Sequence, residues 1–179
     1  MRKIINVVSK LFELYRAKSN PVAYARSLGV KVGEGARLIS VVPGMGTFGS
    51  EPYLIELGNH VTVAGDVRFV NHDGGVWVFR EEDSSIDVIA PIKVGDNVFI
   101  GYGSLILPGV TIGDNVVIGA KSVVTGDIPS NSVAAGVPAK VIKSLDDYRE
   151  GIVKRRDSIR HLSEIDKRNY LTKKFNIKH

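Results

Sequence analysis

Val94, Ile100, Ile106, Ile112, Ile118 and Val124 fall at every sixth position without a miss. A helix repeats its apolar face about every 3.6 residues and a strand about every 2, so neither accounts for this spacing. A longer repeat overlies it. VGDNV at Val94 to Val98 returns eighteen residues later as IGDNV at Ile112 to Val116, and FIGYGS at Phe99 to Ser104 returns as VIGAKS at Val117 to Ser122. Three six-residue sides therefore form one turn of a coil, and the turns stack about 4.8 Å apart, the spacing of paired strands. This predicts Val94 over Ile112, Ile100 over Ile118 and Ser104 over Ser122, with the aliphatic ladder as the core. Gly95, Gly101, Gly113 and Gly119 each follow an inward residue, where a side chain would crowd a corner. Asp96-Asn97 and Asp114-Asn115 are corner formers that tolerate left-handed backbone angles.

The corner signature also appears upstream, at Leu57-Gly58-Asn59-His60-Val61 and Val32-Gly33-Glu34-Gly35-Ala36. Turns then begin near residues 32, 57, 94 and 112, at intervals of 25, 37 and 18. Relative to eighteen, the first turn carries seven extra residues, around Pro43 to Pro52, and the second carries nineteen. The larger insertion opens just after Asn71-His72-Asp73-Gly74-Gly75 and has a polar middle, Arg80 to Asp87. Long loops thrown out from a rigid scaffold are where function concentrates.

Helices flank the coil. Ile4, Ile5, Val8, Leu11, Phe12 and Tyr15 trace one helical face, and Asn20-Pro21 breaks the chain before a second short helix ending at Leu28. These helices are expected to cap the open end of the coil, and a lipid surface is the other role open to a basic amphipathic helix. Beyond Ile142, Ile152, Ile159, Leu162, Ile165 and Tyr170 predict helices docked by an apolar edge, with Ser163 and Asp166 as a capping box. The expected division is a helical cap over residues 1–29, a β-coil over 30–143 with its insertion at about 71–91, and a charged helical tail over 144–179.

Composition narrows the chemistry. There is no cysteine among the 179 residues, which excludes disulfides, thiolate-bound zinc and thiol nucleophiles and suits a reducing cytoplasm. No apolar run approaches membrane-spanning length, and Asn6, Ser9 and Lys10 interrupt the N-terminal apolar stretch, against a signal peptide. The net charge is +5, and the tail from Ser144 holds ten Lys and Arg against six Asp and Glu. Its cations alternate with Asp157, Glu164 and Asp166, so a solvated helical tail is expected rather than a nucleic-acid arm. Of the histidines, His60 holds the corner position of Asn97 and Asn115, while His161 and His179 lie in the tail. His72 stands at the mouth of the long insertion, and imidazole titrates where it can take and return a proton near neutrality.

The hexapeptide run, the His-bearing loop and the ending Gly136-Val137-Pro138-Ala139-Lys140-Val141-Ile142-Lys143 resemble the left-handed β-helix acyltransferases. The resemblance extends to the galactoside- and maltose-type O-acetyltransferases, the xenobiotic acetyltransferases and the enzymes that decorate capsular sugars. It implies an all-β left-handed parallel β-helix with a short N-terminal helical cap and a C-terminal helical tail. It also implies acetyl-CoA as acyl donor, no metal, a homotrimer with active sites between subunits, and His72 as the general base for a sugar hydroxyl, with direct acetyl transfer. Asn71 and Asp73 flank that base and are the expected acceptor contacts.

Cofactor contacts are carried over position by position. Phe99 stands where many relatives have Trp, Tyr102 where sugar acetyltransferases commonly have Ser, and Ala120 matches a small residue beside the pantetheine. Thr125 and Gly126 match a Thr-Lys pair, and Pro138, Lys140 and Lys143 fall at the nucleotide end. Gly126 lacks the family's lysine charge, and Tyr102 either narrows the groove or offers only its backbone. What orients His72 is open between Asp73, a main-chain carbonyl and a residue of another subunit. Other readings are transfer to an antibiotic or amino sugar, a noncatalytic glycan-binding module, and a metal-dependent hydratase, which would need three converging histidines where the coil has only His60 and His72.

Overall fold

The computed structural model describes residues 2–177, with side chains described from Ser9 to Ile177. The side chains of Ile4, Ile5 and Val8, part of the expected helical face, and His179 lie outside the described residues. Two units are distinguished, Met1–Asp147 and Tyr148–His179.

The first unit opens with helices α1 (Arg2–Ser19) and α2 (Pro21–Ser27). Asn20 ends the first and caps the second, its side chain accepting from the Ala23 amide at 3.0 Å, and Pro21 occupies the first helical turn, where its missing N–H is not needed. Strands β1 (Lys31–Val32) and β2 (Arg37–Leu38) follow. The next turn holds β3 (Ile55–Leu57), β4 (Thr62–Val63) and β5 (Arg68–Phe69). Then come β6 (Ile92–Val94), β7 (Phe99–Ile100) and β8 (Leu105–Ile106), and after them β9 (Thr111–Ile112), β10 (Val117–Ile118) and β11 (Val123–Val124). The closing strands are β12 (Ser132–Gly136) and β13 (Ala139–Ser144).

Successive strands pass from one sheet to the next, so the chain winds around three faces. Face 1 is β1-β3-β6-β9, face 2 is β2-β4-β7-β10-β12-β13, and face 3 is β5-β8-β11. All pairings are parallel except β12 with β13. The registers match the sequence intervals: Val32 pairs with Leu57, Leu57 with Val94 and Val94 with Ile112. Ile55, Ile92, Ile100, Ile106, Ile112, Ile118 and Val124 all lie at 0–1% exposure, forming the ladder of the core. Full burial of each such side chain is worth about 1.5–3 kcal/mol.

Side chains also stack at the corners. The Glu34 amide donates to Asn59 Oδ1 (2.9 Å), the Asn59 amide to Asp96 Oδ1 (2.7 Å), the Asp96 amide to Asp114 Oδ1 (2.7 Å) and the Asp114 amide to Ser130 Oγ (2.9 Å). The Asn59 amide, then its carboxamide, hold the Asp96 carboxyl below its usual range. That stabilisation is present above the ordinary carboxylate pKa and is lost as pH falls through the lowered one. One position along, His60, Asn97, Asn115 and Asn131 all take left-handed angles, with φ of 54, 56, 56 and 59°. His60 is thus the corner residue its alignment predicts.

The N-terminal helices divide differently from expectation. In α2, Tyr24 and Ala25 are buried, and Ala25 joins the core with Val30. Leu11, Phe12 and Tyr15 of α1, expected to help cap the coil, are exposed instead. In the second unit, α3 (Leu145–Arg155), which crosses the unit boundary, and α4 (Glu164–Lys174) bury no residues. The apolar edge expected along this tail is not buried within the unit: Ile152, Ile165 and Tyr170 are exposed and Ile159 and Leu162 only half-buried. Five apolar side chains spread over nineteen residues and two helices do not converge on one stripe narrow enough to bury. The cap is present, with Ser163 Oγ accepting from the Asp166 amide at 3.1 Å.

The turns stack closely enough that a Cβ on Gly101 would lie 2.5 Å from the Ala120 backbone nitrogen, whereas one on Gly126 would meet nothing within 4 Å. Gly101→Ala is expected to lower stability by about 1–3 kcal/mol, read as a drop in the urea midpoint, and Gly126→Ala to stay within about 0.5 kcal/mol of the parent. Equal midpoints for Gly101→Ala and the parent would contradict this stacking.

Candidate active site

The second insertion leaves the coil at the exit of face 3, and the first is split around that face, with Phe48 ten residues beyond Leu38 and nine before Leu57 where a regular side takes six. In the first turn no β5-like strand forms, yet Thr47 and Phe48 take its place: the Phe69 amide donates to the Thr47 carbonyl at 2.8 Å, and the Phe48 and Phe69 rings stack at 5.9 Å. Phe48 thus lies beneath Phe69, and the residue three beyond each, Glu51 and His72, stack in turn. Glu51 Oε2 lies 3.3 Å from His72 Nδ1. The His72 side chain is 37% exposed and that of Glu51 16%, so the carboxylate is mostly sheltered while the ring keeps a solvent face. A carboxylate on Nδ1 favours the tautomer whose Nε2 carries the free lone pair.

The second insertion is tied down at its root. His72 and Ile89 form an antiparallel bridge, the Asp73 amide donates to the Val88 carbonyl and the Ala90 amide to the Asn71 carbonyl, each at 2.8 Å. Between them Gly74–Phe79 coil as a 3₁₀ helix whose N-cap is Asp73, accepting from the Gly75 amide at 2.8 Å. Val76 is buried and anchors this segment, while Trp77, Val78 and Phe79 are exposed.

Of the three residues expected around the acceptor, His72 keeps an exposed ring at the mouth of the insertion, while the other two are engaged otherwise. Asn71 turns inward and is fully buried, its carboxamide nitrogen and oxygen without hydrogen-bond partners. Its place in the alternation after Phe69 points it to the interior. The Asp73 carboxylate is occupied in capping its own turn. The residue that holds His72 is Glu51, which the sequence reading missed. Its signal was a paired Thr-Phe at 47–48 and Arg-Phe at 68–69, each followed three residues later by a charged or titratable group.

The expected cofactor residues fall around faces 2 and 3. Phe99 projects outward from β7 and borders a shallow pocket of about 220 Å³ with Thr62, Val117 and Leu145. Lys140 and Lys143 lie on β13, three residues apart, a spacing that would put them on opposite faces of a regular strand. A register shift in the β12–β13 ladder changes this: Lys140 pairs with Ala135 and Lys143 with Val133. Ala135 and Val133 are two apart, so both lysines share the outer face with Phe99 and Val117, which line up through Val117–Val133 and Val117–Phe99. Ala120 is exposed at the corner between faces 2 and 3, and Pro138 is exposed in the β12–β13 turn. Thr125 and Gly126 follow β11 at the exit of face 3, the edge to which His72 belongs, and are exposed.

Tyr102 is pinned along the same corner as Ala120. Its hydroxyl donates to Asp66 Oδ2 one turn away, and the Lys121 ammonium sits 5.0 Å from its ring centroid. The Asp66 carboxylate accepting from the phenol, reinforced by its negative charge, raises the Tyr102 pKa above the ordinary tyrosine value. Asp66 thus serves Tyr102. No group of three or more His, Asp or Glu side chains suited to a metal occurs among the described residues.

A family model for bacterial transferase hexapeptide (six repeats) matches residues 91–126. The chain is 53% identical over 150 residues to protein CapG of Staphylococcus aureus, covering 84% of this chain and 86% of that protein. It is 42% identical over 107 residues to galactoside O-acetyltransferase of Escherichia coli strain K12, covering 54% of this chain and 47% of that protein. Among solved structures, a maltose O-acetyltransferase from Clostridium difficile 630 superposes with a TM-score of 0.52 at 34% identity, covering 68% of this chain and 73% of that one. The chain belongs to the hexapeptide-repeat acyltransferase family and is an acetyltransferase.

The held phenol gives a direct test of the corner. Asp66→Asn removes the charge that raises the Tyr102 pKa, so tyrosinate absorbance should appear at lower pH, with Tyr102→Phe identifying the signal. An unchanged titration would contradict the Asp66–Tyr102 bond.

Proposed function

We propose that this protein is an acetyl-CoA-dependent O-acetyltransferase for a sugar hydroxyl, with His72 as general base and Glu51 as the group that orients it. The observation that carries the reading is the Glu51–His72 pair, raised on the rigid exit edge of face 3 with one ring nitrogen held and the other free. Membership of the hexapeptide-repeat family supports a left-handed coil and, with it, this assignment. In the proposed step His72 Nε2 takes the acceptor hydroxyl proton as the oxygen bonds to the thioester carbonyl carbon. As the carbon–sulfur bond breaks, the imidazolium returns that proton to the departing thiolate, leaving acetylated acceptor and free CoA. General-base removal of the proton contributes about 10²–10⁴-fold.

The donor side fits the outer stripe from Phe99 past Ala120 to Lys140 and Lys143. Small, exposed positions admit a narrow pantetheine arm, and two cations on one face suit a phosphate-rich end. His72, Thr125 and Gly126 stand on one edge of face 3, and Tyr102 and Ala120 on the other. This separation supports a trimer in which a neighbouring subunit completes each site. On the acceptor side, the insertion that opens at His72 exposes Trp77 and Phe79, flat apolar faces that a sugar ring can cover. A polysaccharide precursor in the cytoplasm is the proposed acceptor class.

His72→Ala is expected to slow acetyl transfer by about 10²–10⁴-fold while leaving CoA affinity nearly unchanged. Glu51→Gln should cost about 10–100-fold in kcat with little change in KM, since it disturbs a positioned base and not a binding contact. Transfer at the parental rate by His72→Ala would sink the mechanism. Acetyl-CoA consumption with sugars, nucleotide sugars and amino-bearing acceptors reads both variants, and exclusive use of amines would overturn the O-transfer reading.

Lys140→Ala and Lys143→Ala should weaken CoA more than its pantetheine fragment, by about tenfold for each lost charge-assisted contact. Isothermal titration with both ligands measures this, and equal losses would remove the lysines from the phosphate end.

A further inference from the structure

Helix α1 is joined to the remainder of its unit by the wrong side for an ordinary amphipathic helix. Among its described side chains Ala17 alone is buried, at 2% exposure. Leu11, Phe12 and Tyr15 are 60, 61 and 69% exposed. At 3.6 residues per turn these three lie about 120–160° around the helix from Ala17. The apolar face therefore points away from α2, and no described residue of the same unit covers it.

The charges on the helix indicate what does. Its sequence holds Arg2, Lys3, Lys10, Arg16 and Lys18 against a single acid, Glu13. The Arg16 guanidinium lies 6.0 Å from the centroid of the Phe12 ring, and Lys18 falls two turns beyond Leu11, so cations border the apolar face directly. A second copy of α1 laid on this face would bring cation against cation, with too few acids to pair them. An anionic bilayer answers both features, taking Leu, Phe and Tyr into the headgroup boundary while the long basic side chains reach the phosphates. No helix among the described residues is long and apolar enough to cross a membrane, so the helix would lie in the surface.

We infer that α1 is an interfacial anchor that docks this enzyme on anionic phospholipid through Leu11, Phe12 and Tyr15, with Arg16 and Lys18 contacting the headgroups. The inference does not rest on the acetyl-transfer reading, because a soluble acceptor would leave it intact.

The full chain is sedimented with phosphatidylcholine vesicles and with vesicles that also contain phosphatidylglycerol, at low and high salt. Binding to the anionic vesicles is expected to exceed binding to neutral ones by about tenfold or more and to weaken with salt. Leu11→Ser/Phe12→Ser/Tyr15→Ser should lower anionic-vesicle binding by about tenfold or more, and Lys18→Glu should lower it by about fivefold or more while leaving the apolar face in place. The altered side chains are exposed, so the coil should retain its thermal midpoint. Parental vesicle binding by the triple serine variant would overturn the inference. So would a shift of that variant to a smaller species in gel filtration without lipid, which would assign the face to another copy of the chain.

Discussion

The vertical hydrogen-bond ladder between turns is the constraint from which the remaining features follow. Backbone amides at the outward positions donate to the turn beside them, as Phe99 does to Val116 and Gly101 to Ile118, both at 2.9 Å. Because every turn lies at strand spacing, a residue that departs in size or direction disturbs its neighbours on both sides. The core is accordingly a column of Ile and Val, the positions after it are small, and the corners repeat a left-handed Asn. Buried Ser104 and Ser122 both donate their hydroxyls to the Gly119 carbonyl, at 3.0 and 2.7 Å. Even the polar groups inside are organised by the stack.

That constraint also decides where chemistry can be placed. Residues added within a face would break the ladder, so the insertions leave at a corner. The last part of the first insertion and all of the second leave at the same corner, on adjacent turns, and this brings Glu51 to His72. A carboxylate and an imidazole from segments 21 residues apart meet because the coil stacks their roots, with Phe48 on Phe69 acting as the spacer. The same economy operates at the far end, where one extra residue in β13 turns two lysines onto a single face. The fully buried Asn71 is the local exception. Its orphan carboxamide costs about 1–3 kcal/mol at the root of the candidate catalytic loop, where backbone bonds from Asp73 and Ala90 hold the segment in place.

The surfaces outside the coil follow another logic. The exposed apolar residues of α1 and of the second insertion are not leftovers of a small core, since the ladder is already filled. They gather beside polar and charged groups, Trp77 and Phe79 on the insertion rooted at His72 and Phe12 beside Arg16. Exposed aromatic faces bordered by charge mark surfaces that meet something else.

How much could be read without coordinates depends on whether a feature is periodic. The turn length, the stacked pairs from Val32 to Ile112, the sizes of both insertions and the left-handed corner at His60 were legible, because an eighteen-residue repeat writes the ladder's geometry directly into the residue order. His72 was legible as the candidate base because it stands where that order breaks. Its partner was not: counting in steps of eighteen hid Glu51, since the first insertion shifts the local offset to 21. The inward turn of Asn71, the capping role of Asp73, the alignment of Lys140 with Lys143 and the exposed face of α1 were likewise settled only by the tertiary structure. Each depends on how an aperiodic segment folds back on the coil, and that is fixed by contacts between residues far apart in the chain.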